Sequence, residues 1–186
     1  RDVDAVCRAI GYQYDKDAFR RVIFTESHDE IANGRARVPE EIWPGRVDSW
    51  FSKKRSTLGS ALVLTSPGVP MLFQGQELLE DRWFQDKVPI DWTRIEDEGG
   101  ILKMYRDLIA LRRNLSGMTR GLCGQNFQIY HVDHEAKLIA FHRWDVSGPH
   151  DSVVVVVNMT NQNRDGYVIG FPRAGLWKTR FNSDSY

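Results

Sequence analysis

The hydrophobic period of this chain changes once, near Met118, and that change limits the fold more than any other feature. Before it, short apolar runs alternate with stretches whose apolar residues recur every three or four positions. After it, apolar and polar residues alternate over short segments separated by Gly, Pro, Asn and Asp. The first pattern belongs to strands joined by helices, the second to antiparallel strands joined by turns. The chain therefore reads as α/β plus all-β, with its boundary in Ser116–Gly121: residues 1–118 form the first part and 119–186 the second, which shows no closing strand.

In the first part Val22–Thr25 ("VIFT") and Val69–Gly75 ("VPMLFQG") read as short buried strands. Between them lie a Gly- and Pro-bearing loop, Ile31–Val47, and a helix over Ser49–Thr65 that Ser66-Pro67-Gly68 stops. A last helix is expected over Glu98–Asn114, with Ile101, Met104, Tyr105, Leu108 and Leu111 on its buried face. In the second part 127–133, 137–144, 152–160, 166–172 and 176–183 read as strands.

Composition removes several functions. Lysine plus arginine and aspartate plus glutamate are both 25, so nothing electrostatic favours nucleic acid or an anionic membrane as partner. The longest apolar run, Val153–Val157, is too short to span a bilayer, and no secretory signal precedes the first strand. Cys7 and Cys123 carry no motif and read as free, buried thiols, which points to a cytoplasmic location. The chain opens on Arg1, in the middle of a pattern, as a piece of a longer protein does.

Two polar clusters follow the two apolar runs. Glu26, His28, Asp29 and Glu30 crowd behind the first; Gln74, Gln76, Glu77, Glu80 and Asp81 stand behind the second. In α/β sheets and barrels the C-terminal ends of strands carry function. A carboxylate there can serve glycoside chemistry as nucleophile, general acid or stabiliser of an oxocarbenium-like transition state. A neighbouring histidine can hydrogen-bond sugar hydroxyls, and Trp43, Trp83, Phe84 and Trp92 are candidates for stacking on sugar faces, although packing is the commoner fate of such aromatics. Composition alone weighs this equally with a solvated turn. Metal binding is not expected, since no HExxH motif or cysteine pair is present. A Ser27-His28-Asp29 triad is excluded because triads assemble in space, not along a strand. Arg35 and Arg37 could bind sugar or pair with Glu30 and Glu26; solvation is the default for both.

The segment Val22–Glu30, "VIFTESHDE", resembles the fourth conserved region of the α-amylase superfamily, glycoside hydrolase family 13. Gly68–Leu78, "GVPMLFQGQEL", is similar to that family's eighth-strand segment, and the β-rich tail resembles its C-terminal all-β domain. The resemblance implies the last two β/α units of a (β/α)8 TIM-type barrel, followed by an antiparallel β-sandwich. It further implies that Asp29 stabilises the transition state and that His28 binds hydroxyls of the sugar being cleaved. Glu26, Glu30, Trp83, Gln76 and Glu77 become further candidates for substrate contact, with a rim-bracing role equally open for Gln76 and Glu77. The family's nucleophile and acid/base lie after strands that this sequence does not contain. The N-terminal part of the barrel is then a missing partner, the isolated chain is expected to be inactive, and its uncovered edges are expected to make it self-associate or lean on its β-domain for solubility.

The Ser-His-Asp-Glu run is closest to glycogen and starch branching enzymes, but "IANGRARVP" after it departs from the bacterial branching pattern. Transglycosylation and hydrolysis of an α-glucan (glycogen, starch or maltooligosaccharide) both stay open, as does a non-catalytic glucan-binding role. The resemblance implies no cofactor and no metal.

Overall fold

The computed structural model describes residues 2–148 and 151–186. The chain divides into two compact units, neither of them continuous in sequence. The first comprises Arg1–Arg21, Thr65–Val69 and Ala110–Arg180; the second comprises Val22–Leu64, Pro70–Ile109 and Phe181–Tyr186.

The first unit is built on helix α1 (Val3–Gly11) and an antiparallel sheet of order β3-β4-β5, formed by Asn126–Asp133, Leu138–Trp144 and Val153–Asn158. Alternation sets the register: Phe141 of β4 faces Ile129 of β3 and Val155 of β5. The register shifts once, between Ile129 and His131. Leu138, Ile139, Ala140 and Phe141 are buried in succession, so central β4 is covered on both faces there. Asp133 Oδ1 accepts from Ala136 N at 2.7 Å and closes the turn into β4. Past β4, buried Asp151 accepts from the backbone N–H groups of Asp145, Val146 and Ser147 and fixes the turn into β5.

Three arginines converge on one turn of the same unit. Arg143 donates to Thr65 O, Arg112 to Ser66 O and Gly68 O, and Arg21 to Pro67 O. All four carbonyls of the Thr-Ser-Pro-Gly segment that ends helix α4 (Trp50–Thr65) are thus held by guanidinium groups. Arg143 also donates to Leu122 O and Gly124 O, and Arg21 to Ala9 O and Ile10 O.

The second unit packs α4 against helix α5 (Ile95–Arg112). Ile101, Met104, Tyr105 and Leu108 lie at the helical spacing read from the sequence and form a core with Leu64 and Leu79. Phe181 and Tyr186 close over it, and Tyr186 Oη donates to Asp107 at 2.5 Å. Helix α5 begins earlier than the pattern indicated and breaks at Glu98 (φ −110°, ψ 16°), just before Gly99 and Gly100.

Several expectations need correction. Regular strand geometry covers only β1 (Val22–Ile23) and β2 (Val69–Pro70), and Val22, Phe24, Val69 and Leu72 are exposed rather than buried. The ladder between them is two bonds long, Val69 N to Arg21 O and Met71 N to Ile23 O, and both run in the parallel sense. No strand forms over 166–172 or 176–183 among the described residues. Their alternation offers a face but finds no ladder, and Val168 and Leu176 stand exposed. The Ile31–Val47 segment holds two short helices, the end of α2 (His28–Ala32) and α3 (Val38–Ile42), where a loop was expected. Cys7 and Cys123 are free, as expected, but not buried: Cys7 is half-buried and Cys123 exposed.

Candidate functional site

The residues behind β1 do not form an open loop. Ser27 is the N-cap of α2, its Oγ accepting from Glu30 N at 3.3 Å, and His28 and Asp29 occupy the first helical turn. His28 Nε2 lies 3.1 Å from Asp29 Oδ1, and the two side chains are 63% and 78% exposed. They form an open pair, free to meet a ligand. Asn33 Nδ2 donates to Asp29 O at 2.7 Å and steadies the backbone beneath it. Glu30 pairs with Arg35 at 2.7 Å.

Glu26 behaves differently. Its side chain is 4% exposed and that of Arg37 2%. Glu26 Oε1 accepts from Arg37 Nε at 2.8 Å, and Oε2 accepts from Val38 N at 2.7 Å. Arg37 Nη2 also donates to Gln74 O at 3.0 Å, and the guanidinium lies 4.4 Å from the centre of the Phe73 ring. Glu26 therefore has both oxygens engaged by protein.

Gln76 is engaged as well. Its Oε1 accepts from Phe73 N and its Nε2 donates to Thr25 Oγ1, each at 2.7 Å. This side chain ties the segment after β2 to the segment after β1. Glu77, beside it, is only half-buried. The turn around them demands special backbone: Gly75 has φ +85°, and a Cβ there would meet Glu80 Cβ at 2.7 Å. Buried Leu79 also has positive φ (54°), and Arg94 holds its carbonyl at 2.6 Å. Strain at a non-glycine residue persists only where its surroundings over-determine it.

Glu80, buried in the same turn, accepts from Arg82 through both oxygens at 2.8 Å. The Arg82 hydrogen bonds hold its carboxyl at about 2, well under the ordinary 4.5. Half-exposed Trp83 lines a small pocket with Arg37, Gln74, Glu80 and Phe84. Phe84 packs edge-on against Phe73 at 5.4 Å.

The structure thus joins the two polar clusters through Arg37 and Gln76. His28 and Asp29 stay exposed, while Glu26 and Gln76 are withdrawn into the supports beneath. Sequence reasoning gave solvation as the default for Arg37 and no role to Glu80. A capping signal, Ser27 three residues before Glu30, was legible and announces α2. Among the described residues no cluster of three or more His, Cys, Asp or Glu side chains could hold a metal ion. No helix there is long and apolar enough to cross a membrane.

Comparison with known proteins adds three findings. Residues 129–186 match the family described as alpha amylase, C-terminal all-beta domain. The chain is 28% identical over 185 residues to a 1,4-alpha-glucan branching enzyme of Marinobacter nauticus, covering 94% of this chain and 29% of that protein. It is 32% identical over 163 residues to the branching enzyme of Burkholderia thailandensis, covering 86% of this chain and 19% of that one. The chain spans less than a third of the length of these curated relatives. Among solved structures, a pullulanase from Anoxybacillus sp. LM18-11, complexed with maltotetraose, superposes with a TM-score of 0.63 at 22% identity. That match covers 87% of this chain and 26% of the pullulanase, and it establishes a shared fold.

Proposed function

This chain belongs to the α-amylase superfamily, and from that premise we propose that it is part of a longer retaining enzyme acting on α-1,4-glucans, a 1,4-α-glucan branching enzyme. The observation that carries the reading is the exposed His28–Asp29 pair in the first turn behind β1, 3.1 Å apart. The segment from β1 through α4 and β2 to α5 is then the last two β/α units of a (β/α)8 barrel, residues 1–118. Residues 119–186 are its antiparallel C-terminal domain. Its partner is a glucan, and its location cytoplasmic.

Asp29 contributes negative charge that persists through the reaction. When the glycosidic bond breaks, positive charge builds on the anomeric carbon and ring oxygen. A fixed carboxylate at that point stabilises the transition state more than the ground state. His28, beside it, donates to a sugar hydroxyl and sets the orientation of the ring. Glu30, Glu77 and Trp83 are exposed enough to touch glucan, and Glu26 and Gln76 support them from below. The nucleophile and the acid come from the remainder of the enzyme. A glucan 6-hydroxyl then captures the covalent glucosyl intermediate; in a hydrolase of the same family water does so.

The test is Asp29→Asn in the complete enzyme, with iodine staining and a debranching assay as readouts. Loss of iodine colour together with new α-1,6 links is expected from the wild type and not from the variant. Unchanged activity in the variant removes the assignment of Asp29. Reducing sugar without new branches replaces transfer by hydrolysis.

A further inference from the structure

The buried ion pair beneath the exposed one has geometry that no sugar contact explains. We infer that Glu26 and Arg37 are positioning residues: one guanidinium staples the segment behind β1 to the segment behind β2 and so sets where His28 and Asp29 stand. The inference rests on the glucan-active reading above.

Glu26 lies two residues before His28, with both of its oxygens bound. Arg37 belongs to the stretch that returns from α2, and Val38 N, its neighbour, binds the same carboxylate. Arg37 Nη2, itself 2.7 Å from Glu26 Oε1, also reaches Gln74 O at 3.0 Å, and the flat face of the guanidinium covers Phe73. Three separate pieces of chain, at residues 26, 37–38 and 73–74, therefore share one planar group. A planar fork with several donors can hold all three at once; a single ammonium cannot. Near-complete burial keeps the pair unscreened by salt and fixes each rotamer. The path from this group to the open pair is short and covalent: Glu26, the Ser27 cap, then His28 and Asp29.

The experiment compares Arg37→Lys, Glu26→Asp and Asp29→Asn in the complete enzyme, measuring kcat, KM and amide hydrogen exchange of residues 27–30. Arg37→Lys keeps a cation opposite Glu26 and so preserves folding, but it loses the reach to Gln74 O. Displacing a reacting group by about 1 Å costs ~100-fold in rate. The expected result is therefore kcat lowered by about 10- to 100-fold with KM changed less than about threefold, together with faster exchange at residues 27–30. Glu26→Asp, which keeps the charge but draws the carboxylate back from Arg37 and Val38 N, is expected to lower kcat in the same direction. If Asp29→Asn abolishes activity while Arg37→Lys leaves kcat at the wild-type value, the inference is overturned. If Arg37→Lys raises KM and lowers kcat no more than it lowers the folded fraction, the pair is only structural and the inference again falls. If Asp29→Asn is fully active, the catalytic assignment of Asp29 fails, and exchange at residues 27–30 still decides whether the staple holds that turn.

Discussion

Replacing Arg143 with methionine should cost the first unit about 3 kcal/mol. Arg143 is fully buried on β4 and donates to Thr65 O, to Leu122 O at 3.2 Å and to Gly124 O. Methionine matches the aliphatic stem and removes every donor. A buried carbonyl left without its partner costs about 1–3 kcal/mol, so three of them bring a loss of roughly 3–9 kcal/mol. Against this stands relief from burying a charge, worth several kcal/mol. That penalty is visible in Arg143 itself, where burial and then the nearby Arg112 cation pull the pKa from the ordinary arginine value down to about 9. The difference leaves a net loss of about 3 kcal/mol. The sign with pH follows. A base whose pKa is lowered on folding binds fewer protons folded than unfolded only above about 9 and below its ordinary value, so the penalty is relieved on the alkaline side. At neutral pH Arg143 is charged in both states, and the gap between variant and wild type stays flat from about pH 6 to 8. Urea unfolding followed by amide hydrogen exchange along β3, β4 and β5 measures it. A gap of less than about 1 kcal/mol would show that the carbonyls find other donors and would refute the reasoning. Arg143→Lys sharpens the test: it keeps the charge but not the fork, and full stability in that variant would mean that charge alone matters.

Four further outcomes are expected. Glu80 has a lowered pKa, so its contribution is present above 4.5 and is lost as pH falls toward about 2. Because Arg82 is half exposed, that contribution is about 1 kcal/mol, and Glu80→Gln should narrow the difference in stability between pH 6 and pH 3 by this amount. Gly121→Ala would place a Cβ 2.6 Å from the backbone oxygen of Arg143, and the sheet must shift at a cost of about 3 kcal/mol, read as a lower melting temperature. Trp83→Ala in the complete enzyme should raise KM for maltoheptaose by about fivefold, the equivalent of one lost stacking contact of ~1 kcal/mol, without lowering kcat. The isolated chain should self-associate through exposed Val22, Phe24, Val69 and Leu72, and a monodisperse monomer in sizing chromatography would contradict this.

Helical spacing in the sequence located α4 and the buried face of α5, and the short apolar segments between turn residues located β3, β4 and β5, although central β4 is buried on both faces. The same kind of segment misled at 166–172 and 176–183, since a strand needs a partner as well as a face. The runs Val22–Thr25 and Val69–Gly75 were located, but only Val22–Ile23 and Val69–Pro70 form strand, and Val22, Phe24, Val69 and Leu72 lack the burial credited to them. At the site, the resemblance of "VIFTESHDE", not residue type alone, singled out His28 and Asp29, and both are exposed. The sequence did not separate Glu26, buried between Arg37 and Val38 N, from Glu30, partly exposed on α2 beside Arg35. Pairing of buried charge is decided by three-dimensional neighbours, and an arginine in a Gly/Pro-flanked loop gives no local sign that it will turn inward.

The discontinuity of the two units has a consequence for the order of synthesis. Phe181 and Tyr186 complete the hydrophobic cluster between α4 and α5, yet the ribosome makes them only after every strand of the first unit. The second unit therefore waits, with Ile101, Met104 and Leu108 incompletely covered, while about seventy residues of another unit are translated and fold. At ~5–20 residues per second that interval lasts several seconds, long enough for a chaperone to bind the uncovered helix face.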